Sequence, residues 1–380
     1  MINFAHSESI IQQNVRFEEY TGQIHLRTRR IALRTKKNVQ SSLTEMKRLI
    51  LSGISLLLAA MSYAQSDVYV AGMAITPEGR QVAALWKNGA VQYITDGTRG
   101  AYASTVFVSG DNVYVAGAEL NEQNVSIAKI WINGEAQALT DGTSHAESRS
   151  IYVSGNDVYV VGYERNSKNI NVAMLWKNGN VQNLTYGVYN TWDEISVFVS
   201  GNDVYVAGRE NNAQGKSVAK LWKNGEMQNL TDGSMSAAAT SVYVLNNDVY
   251  VAGWEGGTQG IVGKYWKNGV AQENISTGSM NAWTSSIFVA GSNVYVAVLS
   301  YDASSIMIAK LWKNGVLHNL SDGTLWTRPN SLYVAGDDVY VAGFGYNTQN
   351  TMVAKVWKNG VVQNLTDGSA NAVANCVFVK

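Results

Sequence analysis

Cysteine is almost missing from this 380-residue chain, with Cys376 standing alone. That excludes intramolecular disulfides and any cysteine-built zinc site. Proline occurs twice, and charged residues make up only 15%, with 29 Lys+Arg balancing 29 Asp+Glu. The balance hides two unlike parts. Residues 1–64 hold nine basic and four acidic residues, which leaves 20 and 25 for residues 65–380, a net charge of −5. A mildly acidic body argues against a nucleic-acid surface built on general basic charge. Only His145 and His318 lie beyond residue 64. No histidine pair, Gly-x-Ser-x-Gly turn or phosphate-cradling glycine motif is present. The recurrent Thr-Asp-Gly (Asp96, Asp141, Asp232, Asp367) is ordinary turn chemistry. A calcium loop would carry several carboxylates. No metal and no cofactor is therefore expected.

What is present in quantity is hydrophobic residues at 46%, 35 glycines, 20 tyrosines and 11 tryptophans. This is enough apolar material for a large core, which excludes global disorder, and it favours strands joined by tight turns. The first 64 residues stand apart. Met46-Lys47-Arg48, the uncharged run Leu49–Met61 and the small residues Ser62 and Ala64 have the pattern of a secretory signal peptide. The apolar run is too short for a comfortable membrane span, which needs about 20 residues. Residues 1–45 are polar and basic without an apolar period, and are expected to be a disordered extension ahead of the true start at Met46. The rival is a signal-anchor with a basic cytoplasmic tail. No cysteine follows the apolar run, which excludes a lipoprotein anchor.

From residue 65 the chain repeats itself. The tryptophans of Trp-x-Asn-Gly fall at 86, 131, 176, 222, 266, 312 and 357, and the tyrosines of Val-Tyr-Val keep step at 69, 114, 159, 205, 250, 295 and 340. Seven units of about 45 residues result, each reading as four short strands. In one copy these are Ser241–Val244, Asp248–Gly253, Gly260–Trp266 and Val270–Ile275. Asn-Gly joins the third strand to the fourth in every copy, a strong hairpin signal because both turn residues must reach positive φ. The mature segment opens on a second strand (Asp67–Val70) and ends on a first (Cys376–Val379), so the two halves complete one unit only in a closed ring. The expected fold is all-β, a seven-bladed β-propeller over residues 65–380, closed by pairing of its N- and C-terminal strands. The repeated Asn-Asp-Val-Tyr-Val-Ala-Gly stretch, as at Asn202–Gly208, resembles strand motifs of bacterial secreted propeller repeats. The Gly-His/Trp-Asp, kelch and Asp-box signatures are absent.

Comparison among the copies separates scaffold from candidate site. The invariant tryptophan and the first-strand aromatic (Phe107, Tyr152, Phe198, Tyr243, Phe288, Tyr333, Phe378) are expected to pack between blades. Ser or Thr two residues earlier, with Cys376 as the seventh, fits a tight inner strand near the axis. Long second-to-third-strand loops and blade-to-blade links share one face, the default place for binding. The column five residues before the aromatic varies most: Tyr102, Glu147, Asp193, Ala238, Trp283, Arg328 and Val373. It should ring the channel mouth, with His145, Arg149, Tyr189, Trp192, Trp326 and Asn330 nearby. Aromatics among acids and arginines suit a ligand with an apolar face and hydrogen-bonding groups. The expected ligand-binding residues are Tyr102, Glu147, Arg149, Trp192, Asp193, Trp283, Trp326 and Arg328, with no catalytic residue assigned.

A second column, Glu119, Glu164, Glu210 and Glu255, faces third-strand lysines. It reads as hairpin ion pairs, with a cation-gathering carboxylate ring as the alternative. His318 reads as a surface substitution, and the sequons at Asn183, Asn229 and Asn364 follow from the repeat itself. The expectation is a secreted or periplasmic, monomeric binding module for a glycan or a protein. It should have no nucleic-acid partner and no stable membrane span once the signal is cleaved. The alternatives are a polysaccharide hydrolase or lyase using Glu147 and Asp193, and a structural envelope protein without a small ligand.

Overall fold

The computed structural model describes residues 21–48, 66–191, 194–258, 260–272, 274–275 and 281–380. The chain divides into two units, Met1–Gln65 and Ser66–Lys380. In the first, residues 21–48 form a helix exposed along its whole length. This corrects the expectation of disorder for residues 21–45. The stretch has no proline and no glycine after Gly22, and it is rich in good helix formers. Thr28, Thr35 and Thr44 donate their hydroxyls back to the carbonyls four residues earlier, so the helix absorbs its polar β-branched residues locally. Among the described residues no helix is long and apolar enough to cross a membrane. The apolar run of the expected signal peptide, and its cleavage point, lie outside the described residues.

The second unit is seven four-stranded antiparallel sheets. The blades are numbered from the closing one. The inner strand of blade 1 is Ala372–Val379, and those of blades 2 to 7 begin at Ala101, Ala146, Ser196, Ala237, Ala282 and Thr327. In blade 5 the first three strands are Ala237–Leu245, Asp248–Gly257 and Gly260–Lys267, and the fourth is Val270–Ala271. The inner strand thus starts four residues before its sequence-based bound. Closure is as expected from the half-blades at the two ends. Ala372–Val379 pairs antiparallel with Val68–Ile75, from Val68 opposite Val379 to Ala74 opposite Ala372. Asp67 and Lys380 then exchange backbone hydrogen bonds at 3.0 and 2.9 Å.

The repeat motif encodes one clasp per blade. In the Asn-Gly turn of blade 1, Asn88 and Gly89 hold φ of 51° and 84°, the left-handed region these residues tolerate. The Asn88 side chain then accepts from the Val68 N–H at 2.8 Å and donates to Asp67 at 2.8 Å. Lys87 pairs with the same carboxylate at 2.7 Å and lies over the Tyr69 ring. Asn178–Asp157, Asn224–Asp203, Asn268–Asp248 and Asn359–Asp338 repeat the geometry, and Asn112 and Asn293 replace the aspartate in blades 2 and 6. Lysine and asparagine of the clasp hold these exposed carboxyls below the ordinary carboxylate range. The register of strands two and three is thereby pinned at one end of every hairpin.

The seven repeated tryptophans are 1–2% exposed and pack against the preceding blade. Trp222, for instance, clusters with Tyr159, Val161, Ala173 and Leu175, and its indole N–H donates to the Leu184 carbonyl at 3.1 Å. Truncating such a residue to alanine costs about 3–5 kcal/mol.

A second circumferential element lies on the inner strands. Ser150, Ser196, Ser241, Ser286 and Ser331 each accept through Oγ from a backbone N–H of the next blade, those of Val197, Val242, Ile287, Leu332 and Val377. At the closing blade the belt runs through a thiol instead. Cys376 Sγ accepts from the Thr105 hydroxyl at 3.5 Å and lies 3.8 Å from the Val106 carbonyl. A hydroxyl there would restore a normal oxygen acceptor, worth about 0.5–1.5 kcal/mol. Cys376→Ser is expected to raise the melting temperature, and a lowered value would show that the belt does not act this way.

Candidate functional site

A β-bulge decides what faces the channel. The inner-strand register shifts between Ala103 and Thr105, Ser148 and Ser150, Ala239 and Ser241, Thr284 and Ser286, and Pro329 and Ser331. In the closing blade Cys376 pairs with Ala71 and Ala374 with Gly72, so Asn375 is skipped. One extra residue flips the alternation of side chains. In blade 2, Phe107 and Ser109 are half-buried on one side of the shift, and Tyr102 and Ser104 on the other, while Ala101, Ala103, Val106 and Val108 are buried. The glycine of Val-Ala-Gly makes room for the bulge. A Cβ on Gly253 would lie 2.1 Å from the Ala238 carbonyl oxygen, so a side chain there would force the backbone of this blade to shift.

The bulge residues Ser104, Arg149, Thr240, Ser285, Asn330 and Asn375, with Ile195 in the same column of blade 4, line a cavity of about 400 Å³ on the axis. Glu194, Trp283, Leu299, Tyr301 and Arg328 complete its upper wall. Asn330 and Asn375 donate through Nδ2 to the Ala374 and Ala103 carbonyls of the next blade, at 2.9 and 2.8 Å. That leaves each Oδ1 to accept from a ligand. The buried Ser104 hydroxyl has no protein partner among the described residues.

Below the bulges the channel is shut. Phe107, Tyr152, Phe198, Tyr243, Phe288, Tyr333 and Phe378 form a continuous ring, each on the next at centroid separations of 4.5–5.0 Å. The column expected between blades therefore meets on the axis. The flipped alternation puts these residues and the bulge residues on one face. Seven rings in mutual contact around the axis floor the cavity on this side, and its remaining wall lies toward the long loops.

Burial raises the Tyr152 and Tyr333 hydroxyls above their ordinary range and pushes Tyr243 up to about 12, with the neighbouring tyrosines adding to the shift at Tyr243. A group protonated more tightly in the folded state contributes stability that is complete below its unfolded pKa and lost as pH rises through the folded one. Tyr243→Phe is thus expected to move the alkaline unfolding midpoint upward in a circular-dichroism titration. An unchanged or lowered midpoint would contradict the burial of that hydroxyl.

Two ionic clusters stand at the cavity rim. Arg149 pairs with Glu147 and lies 5.5 Å from the Tyr102 ring centre and 6.0 Å from that of Tyr163. Burial raises Tyr102 well above the ordinary phenol range and Tyr163 to about 12; Arg149 opposes and Glu147 reinforces both shifts. In blade 4, Arg209 pairs with Glu194 at 2.6 Å and lies 5.3 Å from the Trp254 ring. Arg328, in contrast, is exposed on the cavity wall, and no carboxylate among the described residues pairs with it.

Of the sequence-based candidates, Arg149, Trp283 and Arg328 line the cavity directly, while Tyr102 and Glu147 stand beside it through Arg149. Trp192 and Asp193 lie outside the described residues. Trp326 is elsewhere: it sits 47% exposed on a separate cavity of about 480 Å³ with Leu325, Tyr346 and Asn350. Its distance from the axis follows from its place ahead of the inner strand, which begins at Thr327. His145 is structural, its Nδ1 accepting from the Ser126 N–H at 3.1 Å. The expected hairpin pairs Glu119–Lys129, Glu210–Lys220 and Glu255–Lys264 form. Glu164, in whose blade Met174 takes the place of the third-strand lysine, has its pKa raised by burial and by Asp141.

Of the bulge column, sequence reasoning named only Arg149 and Asn330, as neighbours of the varying column, and it missed the column four residues after the second-strand tyrosine: Met73, Ala118, Tyr163, Arg209, Trp254, Leu299 and Phe344. That column varies within an otherwise repeated motif, which was the available signal.

No protein-family model matches the sequence, and no curated protein matches it either. Solved structures do resemble it. One is a puromycin-hydrolysing peptidase of Mycobacterium tuberculosis, 12% identical with a TM-score of 0.53 over 79% of this chain and 51% of that one. Another is the β-propeller domain of the Trilobed protease from Pyrococcus furiosus, 12% identical with a TM-score of 0.52 over 79% of this chain and 95% of that domain. The chain thus spans about half the length of the first and nearly all of the second. The latter is described as having an open velcro topology, whereas here the terminal strands pair and the ring is closed. These likenesses make the chain a seven-bladed β-propeller.

Proposed function

We propose that the protein is an exported binding module that takes a carbohydrate in the axial cavity. The observation that carries this reading is the ring of bulge residues. Ser104, Thr240, Ser285, Asn330 and Asn375 bring hydroxyl and amide groups from separate blades to one space, beside the half-buried Trp283 and Tyr301 on its wall. Groups that both donate and accept suit sugar hydroxyls, and the aromatic platform suits the apolar face of a pyranose. Trp283 and Tyr301 brace each other edge to face at 5.6 Å, so the platform is ordered before a ligand arrives. Cleavage by Glu147 with Asp193 is the less supported reading, because the Glu147 carboxylate is already engaged by Arg149 and its proposed companion lies outside the described residues.

On a glycan array, wild-type protein is expected to select a defined set of saccharides. Trp283→Ala should weaken the best of them at least about tenfold, as loss of a central aromatic anchor does, without lowering thermal stability to match. Undiminished binding would remove the cavity from consideration. Export rests on the leader pattern around Met46–Ala64. N-terminal sequencing of protein recovered outside the cytoplasm is expected to begin at Gln65, and a retained Met1 would contradict cleavage.

A further inference from the structure

A second cavity lies on blade 7, and a run of aromatic side chains leads toward it from the wall of the axial one. Trp283 and Tyr301 of blade 6 stand on the axial wall beside Arg328 of blade 7. Arg328 lies directly opposite Phe344 in strand register. From Phe344 the aromatic surface continues outward: Phe344 meets Tyr346 at 6.0 Å, and Tyr346 meets Trp326 at 6.3 Å, both edge to face. Trp326 and Leu325, 47% and 37% exposed, then open onto the second cavity of about 480 Å³. In the other copies the Trp326 position holds Gly100, His145, Thr191, Ser236, Asn281 or Asn371. Among the described residues only blades 6 and 7 join Trp–Tyr pairs in this way.

We infer that this lane is an extended subsite through which blades 6 and 7 hold further residues of an acidic oligosaccharide, with a carboxylate on Arg328. The inference rests on the axial cavity taking a saccharide and adds the ligand's length and charge. Successive sugar rings offer flat apolar faces to Trp283, Phe344–Tyr346 and Trp326, and hydroxyl edges to Asn330 and Asn350. A guanidinium without a carboxylate partner, set between aromatic platforms, is a planar fork suited to a carboxylate. An acidic peptide shares the charge. It has no repeating flat apolar faces to match the line of rings, and it presents fewer hydroxyls to the amides.

Two linked subsites raise each other's effective concentration, so affinity should grow with chain length. Isothermal titration with mono-, tri- and hexagalacturonate is expected to show the hexamer bound at least about tenfold more tightly than the monomer. Trp326→Ala should abolish that gain while leaving monomer binding at the wild-type level. Arg328→Gln should erase the preference for hexagalacturonate over neutral xylohexaose. Both side chains are exposed, and unchanged melting temperatures would confirm intact folds. A length gain that is absent, or that survives Trp326→Ala, overturns the lane even where Trp283→Ala weakens the monomer and so upholds the axial site. Equal affinity for xylohexaose overturns the carboxylate, and tighter binding of polyglutamate overturns the saccharide. No effect of Trp283→Ala on any of these probes removes the axial site and the lane with it.

Discussion

The pairing of Ala372–Val379 with Val68–Ile75 is the constraint on which everything else rests. Each blade buries its faces only against two neighbours, so an unclosed array would leave two blade faces bare and one inner strand missing. Closure removes those edges, completes two circular systems at once, the Trp-centred packing between blades and the aromatic ring on the axis, and carries the inner-strand hydroxyl contacts across the seam from Ser331 to Val377. Phe378 on the last strand touches both Phe107 and Tyr333, so the floor of the cavity is finished by the same segment that closes the sheet. Asn375, on that strand too, supplies one of the amides on the cavity wall.

Within that ring, the bulge turns a scaffold into a site. Without the extra residue, the inner-strand alternation would place Phe107 and Ala103 on the axis and aim Ser104 into the blade interface. With it, the lower channel is filled by aromatic rings while the upper channel is lined by side chains that are free to differ from blade to blade. The Val-Ala-Gly glycine is the matching device on the second strand. Blade 6 carries Val298 at this position and retains the bulge. Repetition thus fixes the floor and the walls, and the variation is confined to positions that face the opening.

The architecture was legible because its signals are local and repeated. Asn-Gly names its own turn, the invariant tryptophans declare a spacing near 45 residues, and half-blades at the two ends require a ring. The site was legible only in part. Trp283 and Arg328 were found because their column varies, and Arg149 as a neighbour of it, but a bulge is a single-residue slip with no signature of its own in a strand already rich in Ser, Thr and Ala. Its effect was to move the first-strand aromatics from the blade interface to the axis and to bring Thr240, Ser285 and Asn375 into view. Trp326 was assigned to the mouth because sequence distance from the aromatic was taken as distance from the axis, whereas the chain at that point is still crossing from the outer edge of blade 6. The helix over residues 21–48 was missed because a helix without a buried face leaves no apolar period to read.

Native-state amide hydrogen exchange tests ring closure most directly. If the terminal strands lock the propeller, amides in Val68–Ile75 and Ala372–Val379 should be protected to the same level as those of the inner strand Ala237–Leu245, and should lose protection together with it in rising denaturant. Rapid exchange confined to the two terminal strands, with the remaining blades still protected, would contradict closure and the axial cavity that depends on it.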